Sequence, residues 1–349
     1  MTDNIDLFVT NYNKNFTGVS ATTANVLIKQ TQIYNSRLVG YPLPDCPKPV
    51  SRTTAYSFAK VKPRNKPFSI WHVRRNNEMR DAIIARDILG LPIKIVFTSA
   101  AQRRHSLVPR WLISKMDTVI ATTKLAASYV PNVGAIIPHG VNTEKFTPSN
   151  NLREAWKKTG YPGVKGIATV GRIRKEKGTD LFVDSMIRVL PNMKDLTALV
   201  IGKAGDKDKS FLENLKSKVN TAGLNNRIIF TGEISAEKIP SIFRSLSLLV
   251  ALPRYEGYGM TPLEGMASGV PFVASNTGYF NEFSDQGRCG KVVPIEDLSS
   301  AVDCINLFLT EEAYRSKASI RSRTAADETY SISNEVELIS DVYKQLWSL

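Results

Sequence analysis

Residues 253–264 read Pro-Arg-Tyr-Glu-Gly-Tyr-Gly-Met-Thr-Pro-Leu-Glu and follow directly on the apolar run Leu246–Ala251. Gly257 and Gly259 allow a close turn. The Thr-Pro pair predicts a helix start, with Thr261 as N-cap, Pro262 at the first helical position and Glu264 closing a capping box. A glycine turn at a helix N-terminus aims free N–H groups and the positive end of the peptide dipoles at one spot, which suits a diphosphate. Glu264 is explained either by capping or by a ligand. Glu256 precedes the glycines, outside the helix, where a binding carboxylate and a solvated loop residue are the two alternatives.

A second cluster, Gly171-Arg172-Ile173-Arg174-Lys175-Glu176-Lys177-Gly178, follows the apolar run Ile167–Val170. Four cations in six positions make either a solvated turn or a set of diphosphate ligands, because Arg and Lys give charge-assisted hydrogen bonds to phosphate. A third loop, Asn15-Phe16-Thr17-Gly18-Val19-Ser20, links the first strand to the first helix and lacks a full glycine fingerprint.

The elements that must hold these loops are short, continuous apolar runs alternating with amphipathic stretches. Ile5–Val9, Phe68–Val73, Ile93–Phe97, Thr118–Ala121 and Ala135–Ile137 form one set; Ile167–Val170, Thr197–Ile201, Arg227–Phe230, Leu246–Ala251 and Pro271–Ala274 form another. Strands of this kind between helices predict parallel sheets covered on both faces, so the expected class is α/β, doubly wound, seen twice. Ligands in such sheets bind beyond the carboxyl ends of the strands, and two domains facing one another across a cleft are expected. The predicted boundary lies in residues 147–166, giving an N-terminal domain over 1–148 and a C-terminal domain over 149–331. Residues 332–349 read as an amphipathic helix returning toward the first domain. Residues 42–67 hold six of the eighteen prolines and predict an irregular excursion rather than a helix.

At 349 residues the chain exceeds what one core usually supports, and its 42% hydrophobic content suffices for two. Net charge is +14, of which residues 1–150 carry +12. That half is expected to face something acidic: nucleic acid, an anionic membrane or an anionic substrate. Nucleic acid is disfavoured because the arginine pairs Arg74-Arg75 and Arg103-Arg104 are not interleaved with aromatics in a base-stacking or groove-reading motif. Cys46, Cys289 and Cys304 have no paired or zinc-ligand spacing and fit a reducing cytoplasm. No apolar run approaches the ~20 residues of a membrane span, so membrane contact is expected to be peripheral.

Glu256-x7-Glu264, Gly171-Arg172-x4-Lys177-Gly178, Leu199–Gly205, Phe230-Thr231-Gly232 and Pro138-His139-Gly140-Val141-Asn142 together resemble family 4 retaining glycosyltransferases of GT-B fold, over roughly residues 1–345. Trp71–Asn76 and Thr98–His105 further resemble bacterial lipopolysaccharide core mannosyltransferases. The resemblance implies a nucleotide-sugar donor, GDP-mannose, and an anionic lipid-linked or glycan acceptor, the Kdo region of a lipid A precursor. It implies Arg172 and Lys177 as the diphosphate clamp and Glu264 as the ribose ligand. Glu256 with Gly257, Tyr258, Gly259, Met260 and Thr261 becomes the contact to the donor sugar, and Gly18, Gly171, Gly202 and Gly232 complete the donor site. His72 is the candidate for a histidine near the transferred sugar, although Arg74 stands where some relatives carry a second one. Arg74, Arg75, Arg103, Arg104 and His105 are the expected acceptor side. No metal and no cofactor are expected, and the place of action is the cytoplasmic face of the inner membrane. Asp206-Lys207-Asp208 argues the other way, since metal-dependent transferases hold a cation with a D-x-D pattern. The remaining alternatives are a UDP-sugar donor with another acceptor, an epimerase or phosphorylase on the same fold, and a basic nucleic-acid-binding protein.

Overall fold

The computed structural model describes residues 4–348. It consists of two compact units. One runs through Gly140 and takes back the chain from Tyr330 onward; the other spans Val141–Thr329.

In the first unit the strands are β1 (Leu7–Asn11), β2 (Ser36–Gly40), β3 (Ser69–Val73), β4 (Ile93–Ser99), β5 (Thr118–Ala121) and β6 (Val133–Ile136), in the order β2-β1-β3-β4-β5-β6. All five pairings are parallel. In the second they are β7 (Lys165–Val170), β8 (Leu196–Ile201), β9 (Ile228–Gly232), β10 (Leu246–Ala251), β11 (Phe272–Ser275) and β12 (Gly290–Val293), in the order β12-β11-β10-β7-β8-β9 and again parallel throughout. Parallel strands buried on both faces must be apolar along their whole length. Leu196–Ile201 is buried at all six positions and Ser69–Val73 at all five.

Strand order fixes where each sheet can bind. In the first unit the chain leaves β1 to one side for β2 and returns to the other for β3, so the order reverses at β1/β3. In the second it reverses at β7/β10. The crevice beyond the carboxyl ends at such a reversal is where open α/β sheets take ligands.

Three expectations are corrected. Helix Arg52–Ala59 lies inside the proline-rich segment, capped by Ser51 accepting from the Thr54 amide at 3.1 Å. The prolines flank it at Pro49 and Pro63 and leave its interior free. The chain passes between units at Gly140/Val141 rather than at 148/149. Arg323 donates to the Phe146 carbonyl at 2.8 Å and to that of Thr143 at 3.2 Å, and the Phe146 ring packs edge-on against Phe243, which ties residues 143–146 into the second unit. Strands β2 and β12 stand where no strand was expected.

Helix Ile332–Ser348 buries Ile332, Val336, Ile339, Val342, Tyr343 and Leu346 in the same core as Val9, Val26, Leu27 and Leu38. It is also tied by polar contacts. Glu335 accepts from the Gly140 amide and pairs with His139 Nδ1, both at 2.8 Å, and the Trp347 indole donates to the Phe68 carbonyl at 3.0 Å.

Candidate active site

The β7/β10 reversal carries both chemical clusters read from the sequence. After β7 the chain passes Gly171 and Arg172, makes one short turn over Lys175–Lys177, and enters helix Thr179–Val189. After β10 it passes Arg254 and Glu256 and enters helix Met260–Ala267. One pocket is lined by Gly171, Arg172, Lys177, Glu256, Gly259 and Thr261, with Thr169, Thr179 and Phe280.

Its backbone wall depends on glycine at two points. Gly202, at φ +138°, lies so close to β7 that a Cβ there would sit 1.9 Å from the Gly171 carbonyl oxygen, and its amide donates to Gly232 at 2.9 Å. Gly171, Gly202 and Gly232 thus meet at three neighbouring strand ends. Gly259, at φ +100°, is the residue before the helix, and a Cβ would strike the Phe280 ring at 2.0 Å.

The left-handed turn at Gly259 corrects the capping expectation. The helix begins at Met260, so Thr261 lies within its first turn and no side chain caps it. The Glu264 carboxylate therefore closes no capping box and makes no hydrogen bond among the described residues. Burial pushes its pKa up to about 7, opposed by the charge of Lys145. A carboxylate kept unpartnered and partly desolvated on a helix is expensive unless a ligand supplies donors.

Lys177 Nζ donates to Glu256 Oε2 at 2.6 Å. Glu256 Oε1 accepts from the Gly257 amide at 3.0 Å, and its own amide donates to Thr277 Oγ1 at 3.1 Å. The Arg172 side chain is exposed, and no hydrogen bond or ion pair holds its guanidinium among the described residues. One cation is thus fixed by a carboxylate and the other left available. Arg254, given no role by the sequence reading, stitches the two loops. It makes a bidentate pair with Asp180 at 2.9 Å for both bonds, donates to the Lys175 carbonyl at 2.5 Å and meets Glu296 at 2.6 Å. Its signal was its place in the motif, but Asp180 and Glu296 lie 74 and 42 residues away.

The Tyr258 ring packs inside the second unit. It is buried, stacked on Tyr279 with ring centroids 5.3 Å apart and edge-on to Phe283. The D-x-D tripeptide is a short turn over Asp206–Asp208, and the Asp206 side chain is 98% exposed and paired with Lys209 at 2.8 Å.

The first unit treats its titratable residues differently. The His72 ring is fully buried: Nδ1 meets the Tyr343 hydroxyl at 2.5 Å and Nε2 meets Thr98 Oγ1 at 2.7 Å. Burial, then the charge of Arg74, holds its pKa well below the usual histidine value. Gln30 also donates to the Tyr343 oxygen, at 3.1 Å, so the hydroxyl bridges His72 and Gln30. Where the sequence reading sets His72 at the transferred sugar, the structure has both ring nitrogens engaged inside the core.

Glu78, also fully buried, accepts from Thr10 Oγ1 at 2.9 Å, the Tyr12 amide at 3.0 Å, the Arg74 amide at 2.8 Å and Arg75 Nη1 at 2.9 Å. Arg75 reaches onward to Asn11 Oδ1 at 3.1 Å and Ser20 Oγ at 3.0 Å. Its fork is consumed inside the fold, where it braces the start of helix Gly18–Gln30; Thr17 caps that helix and Gly18 is its exposed first residue. Arg74 is half-buried, with Nε and Nη1 enclosed and unpartnered, and burial lowers its pKa. Arg103 and Arg104 are exposed in the irregular segment after β4. His105 beside them is half-buried, with its pKa lowered by burial and then by Arg103.

Two parallel α/β units, one with a cationic, glycine-walled pocket at its strand-order reversal, fit the GT-B fold that the sequence resemblance implies. The comparisons give the family: the model for glycosyl transferases group 1 matches residues 153–325. The chain is also 37% identical over 347 residues to the lipopolysaccharide core biosynthesis mannosyltransferase LpsB of Rhizobium meliloti (strain 1021), covering 98% of each chain. The protein belongs to the group 1 glycosyl transferases, and its resemblance to lipopolysaccharide core mannosyltransferases is borne out. Among solved structures it is similar to the C-terminal domain of LpcC, a glycosyl transferase group 1 family protein from Francisella tularensis. That match has 34% identity and a TM-score of 0.54, over 55% of this chain and all of that one. It also shares its fold with Anabaena Alr3699/HepE, solved with UDP, at a TM-score of 0.83 and 14% identity over 98% of this chain and all of that one.

Proposed function

We propose that this enzyme moves mannose from GDP-mannose to the Kdo region of a lipopolysaccharide core or lipid A precursor, retaining the anomeric configuration and using no metal. The observation that carries the reading is the exposed, unpartnered Arg172 beside the Lys177–Glu256 pair at the β7/β10 reversal. The name of the LpsB relative supports mannose and the core acceptor.

In this reading the bond from the sugar's anomeric carbon to the β-phosphate oxygen breaks as the acceptor hydroxyl forms its bond to the same carbon. The acceptor's proton passes to the departing diphosphate on the same face. Negative charge gathers on that diphosphate, so preorganised positive charge is the largest catalytic contribution available to the protein. Arg172, Lys177 and the N-terminus of helix Met260–Ala267 supply it. Glu256 orients Lys177 and offers a carboxylate to the sugar, and Glu264 accepts from the ribose hydroxyls.

The same reading sets the enzyme at the cytoplasmic face of the inner membrane as a peripheral protein. Among the described residues no helix is long and apolar enough to cross a membrane. Helix Leu107–Ser114 exposes Leu107, Val108 and Trp111 next to Arg103, Arg104 and Arg110, a combination that suits an anionic lipid surface.

Thermal stabilisation by GDP, UDP and ADP, followed by transfer from GDP-mannose with and without chelator, tests the reading. GDP should raise the melting temperature most, and transfer should persist in EDTA. Stabilisation by UDP alone would sink the guanine assignment. Loss of transfer in EDTA with rescue by magnesium would promote Asp206 and Asp208.

A further inference from the structure

Of the acceptor residues expected from sequence, Arg75 is locked to Glu78, Asn11 and Ser20, and Arg74 has two of its nitrogens enclosed. A different pocket, of about 520 Å³, opens beyond the carboxyl ends of β1 and β2, bordered by the start of helix Arg52–Ala59 and by one side of helix Asn76–Ile83. It belongs wholly to the first unit and lies beside the strand-order reversal of that sheet.

The walls of this pocket are held more firmly than its cations. The Tyr12 hydroxyl donates to Asp81 Oδ2 at 2.5 Å, and Tyr56 donates to the other oxygen at 2.6 Å, so the buried Asp81 holds two rings in place. Gly40, at φ +108°, lets the Tyr12 ring lie against the backbone, since a Cβ would come within 2.7 Å of it. The Tyr41 backbone is tied to Asn11 by its amide at 2.8 Å and by its carbonyl, which accepts from the Asn11 side chain at 3.2 Å, while its ring stays exposed. Arg52 touches Asp81 only at 3.5 Å with its side chain 61% exposed, and lies 5.4 Å from the Tyr12 ring centre. Arg80 is exposed, with no hydrogen bond or ion pair on its guanidinium among the described residues.

We infer that this pocket is the acceptor subsite for a carboxylate-bearing sugar, with Arg52 and Arg80 as the carboxylate forks and the faces of Tyr12 and Tyr41 against the sugar ring. Two planar guanidinium groups on separate helices suit a carboxylate, and a polar pocket with two aromatic faces suits a pyranose better than an apolar ligand. The inference rests on the proposed transfer to an acidic sugar and locates that sugar.

The test uses the full chain. Binding of free 3-deoxy-octulosonic acid is followed by ligand-observed NMR, and transfer is measured with a detergent-solubilised acceptor. Arg80→Ala and Arg52→Ala should each weaken sugar-acid binding and raise acceptor KM by about 10-fold, the effect of one charge-assisted hydrogen bond, with donor KM changed less than about 2-fold. Both side chains are exposed, so the variants should melt like wild type. Unchanged sugar-acid binding and acceptor KM in both variants would overturn the inference. Equal or tighter binding of N-acetylglucosamine 1-phosphate would overturn it in favour of a phosphate subsite. If GDP fails to stabilise the enzyme and no transfer is seen, the donor reading fails instead, while the NMR titration still reports on the pocket.

Discussion

The two sheets place arginine and glutamate at equivalent points, near the reversal of strand order, and use them oppositely. At β7/β10 the Lys177–Glu256 pair is half-buried and Arg172 is left open to solvent. At β1/β3 a fully buried glutamate, Glu78, gathers four donors, and the arginine beside it is committed to the protein. Identical residue types at matching topological positions therefore do not imply matching roles. What separates them is whether the partners of the charge are internal.

The sharpest way to break this comparison is to remove one cation from each side. Arg172→Ala or Lys177→Ala should lower turnover by about 10² to 10³, roughly 3 to 4 kcal/mol, as for a lost preorganised donor, with little change in melting temperature. Arg75→Ala should do the reverse, lowering stability more than it lowers donor affinity. Steady-state kinetics beside a thermal melt decide, and an Arg172 variant working at wild-type rate would reduce the cationic run to a solvated turn.

Glu78→Ala should destabilise the first unit by about 3 kcal/mol, because it strands a charge and several donors in the interior. Glu256→Gln, half-exposed and with one ion pair, should cost less than about 1 kcal/mol. Denaturant melts of the two variants measure the contrast directly, and equal losses would erase it.

Glu264→Gln should weaken nucleotide binding by about 10-fold, one lost charge-assisted contact to the ribose. Its pH signature has a defined sign. The carboxyl rises from 4.5 to about 7 on folding, so between those values the folded state holds a proton that the unfolded chain has released. Stability from this group is full below the lower value and is lost as pH rises toward the upper one. The variant should lose less stability than wild type between pH about 5 and about 8, and parallel melting curves would show that Glu264 is not perturbed.

Tyr343→Phe should cost about 1 kcal/mol, since it removes the hydrogen bonds to His72 and Gln30 but keeps the ring in the core. Wild-type stability in this variant would mean that the hydroxyl contributes nothing to the first unit.

The interior strands were legible because a doubly covered parallel strand must be apolar throughout; Thr118–Ala121 and Leu246–Ala251 fall where the sequence puts them. The two missed strands, Ser36–Gly40 and Gly290–Val293, lie at the edges of their sheets and are partly exposed, so their sequences lack a continuous apolar run. Arg172, Lys177, Glu256, Gly259 and Thr261 were legible as a set, because local spacing at two strand ends brings them to one pocket. The Thr261 N-cap, and with it the capping alternative for Glu264, was misread, because a glycine able to adopt positive φ outranked a good N-cap residue two positions later. The partners of His72 and Tyr258 were not legible locally: Tyr343 lies 271 residues from His72, and Tyr279 and Phe283 come from beyond the next strand, β11. Glu78 stands only three residues from Arg75, but the Thr10 and Tyr12 donors that fix its carboxylate come from β1 and the residue after it.

The return of the last helix to the first unit has a consequence for how the protein is made. The second unit is continuous and can complete its fold as soon as Thr329 has left the ribosome. The first is interrupted: its β1–β6 segment is made first, yet the residues that cover Val9, Val26 and Leu38 and engage Gln30 and His72 are synthesised only after the whole second unit. At about 5 to 20 residues per second, the nascent N-terminal sheet waits on the order of ten seconds or more with an apolar face uncovered. Limited proteolysis of chains stalled at residue 329 should therefore cut the N-terminal sheet faster than residues 141–329. The usual N-to-C order of domain completion during translation is inverted in this molecule, because the first unit closes only after residues beyond Thr329 are made.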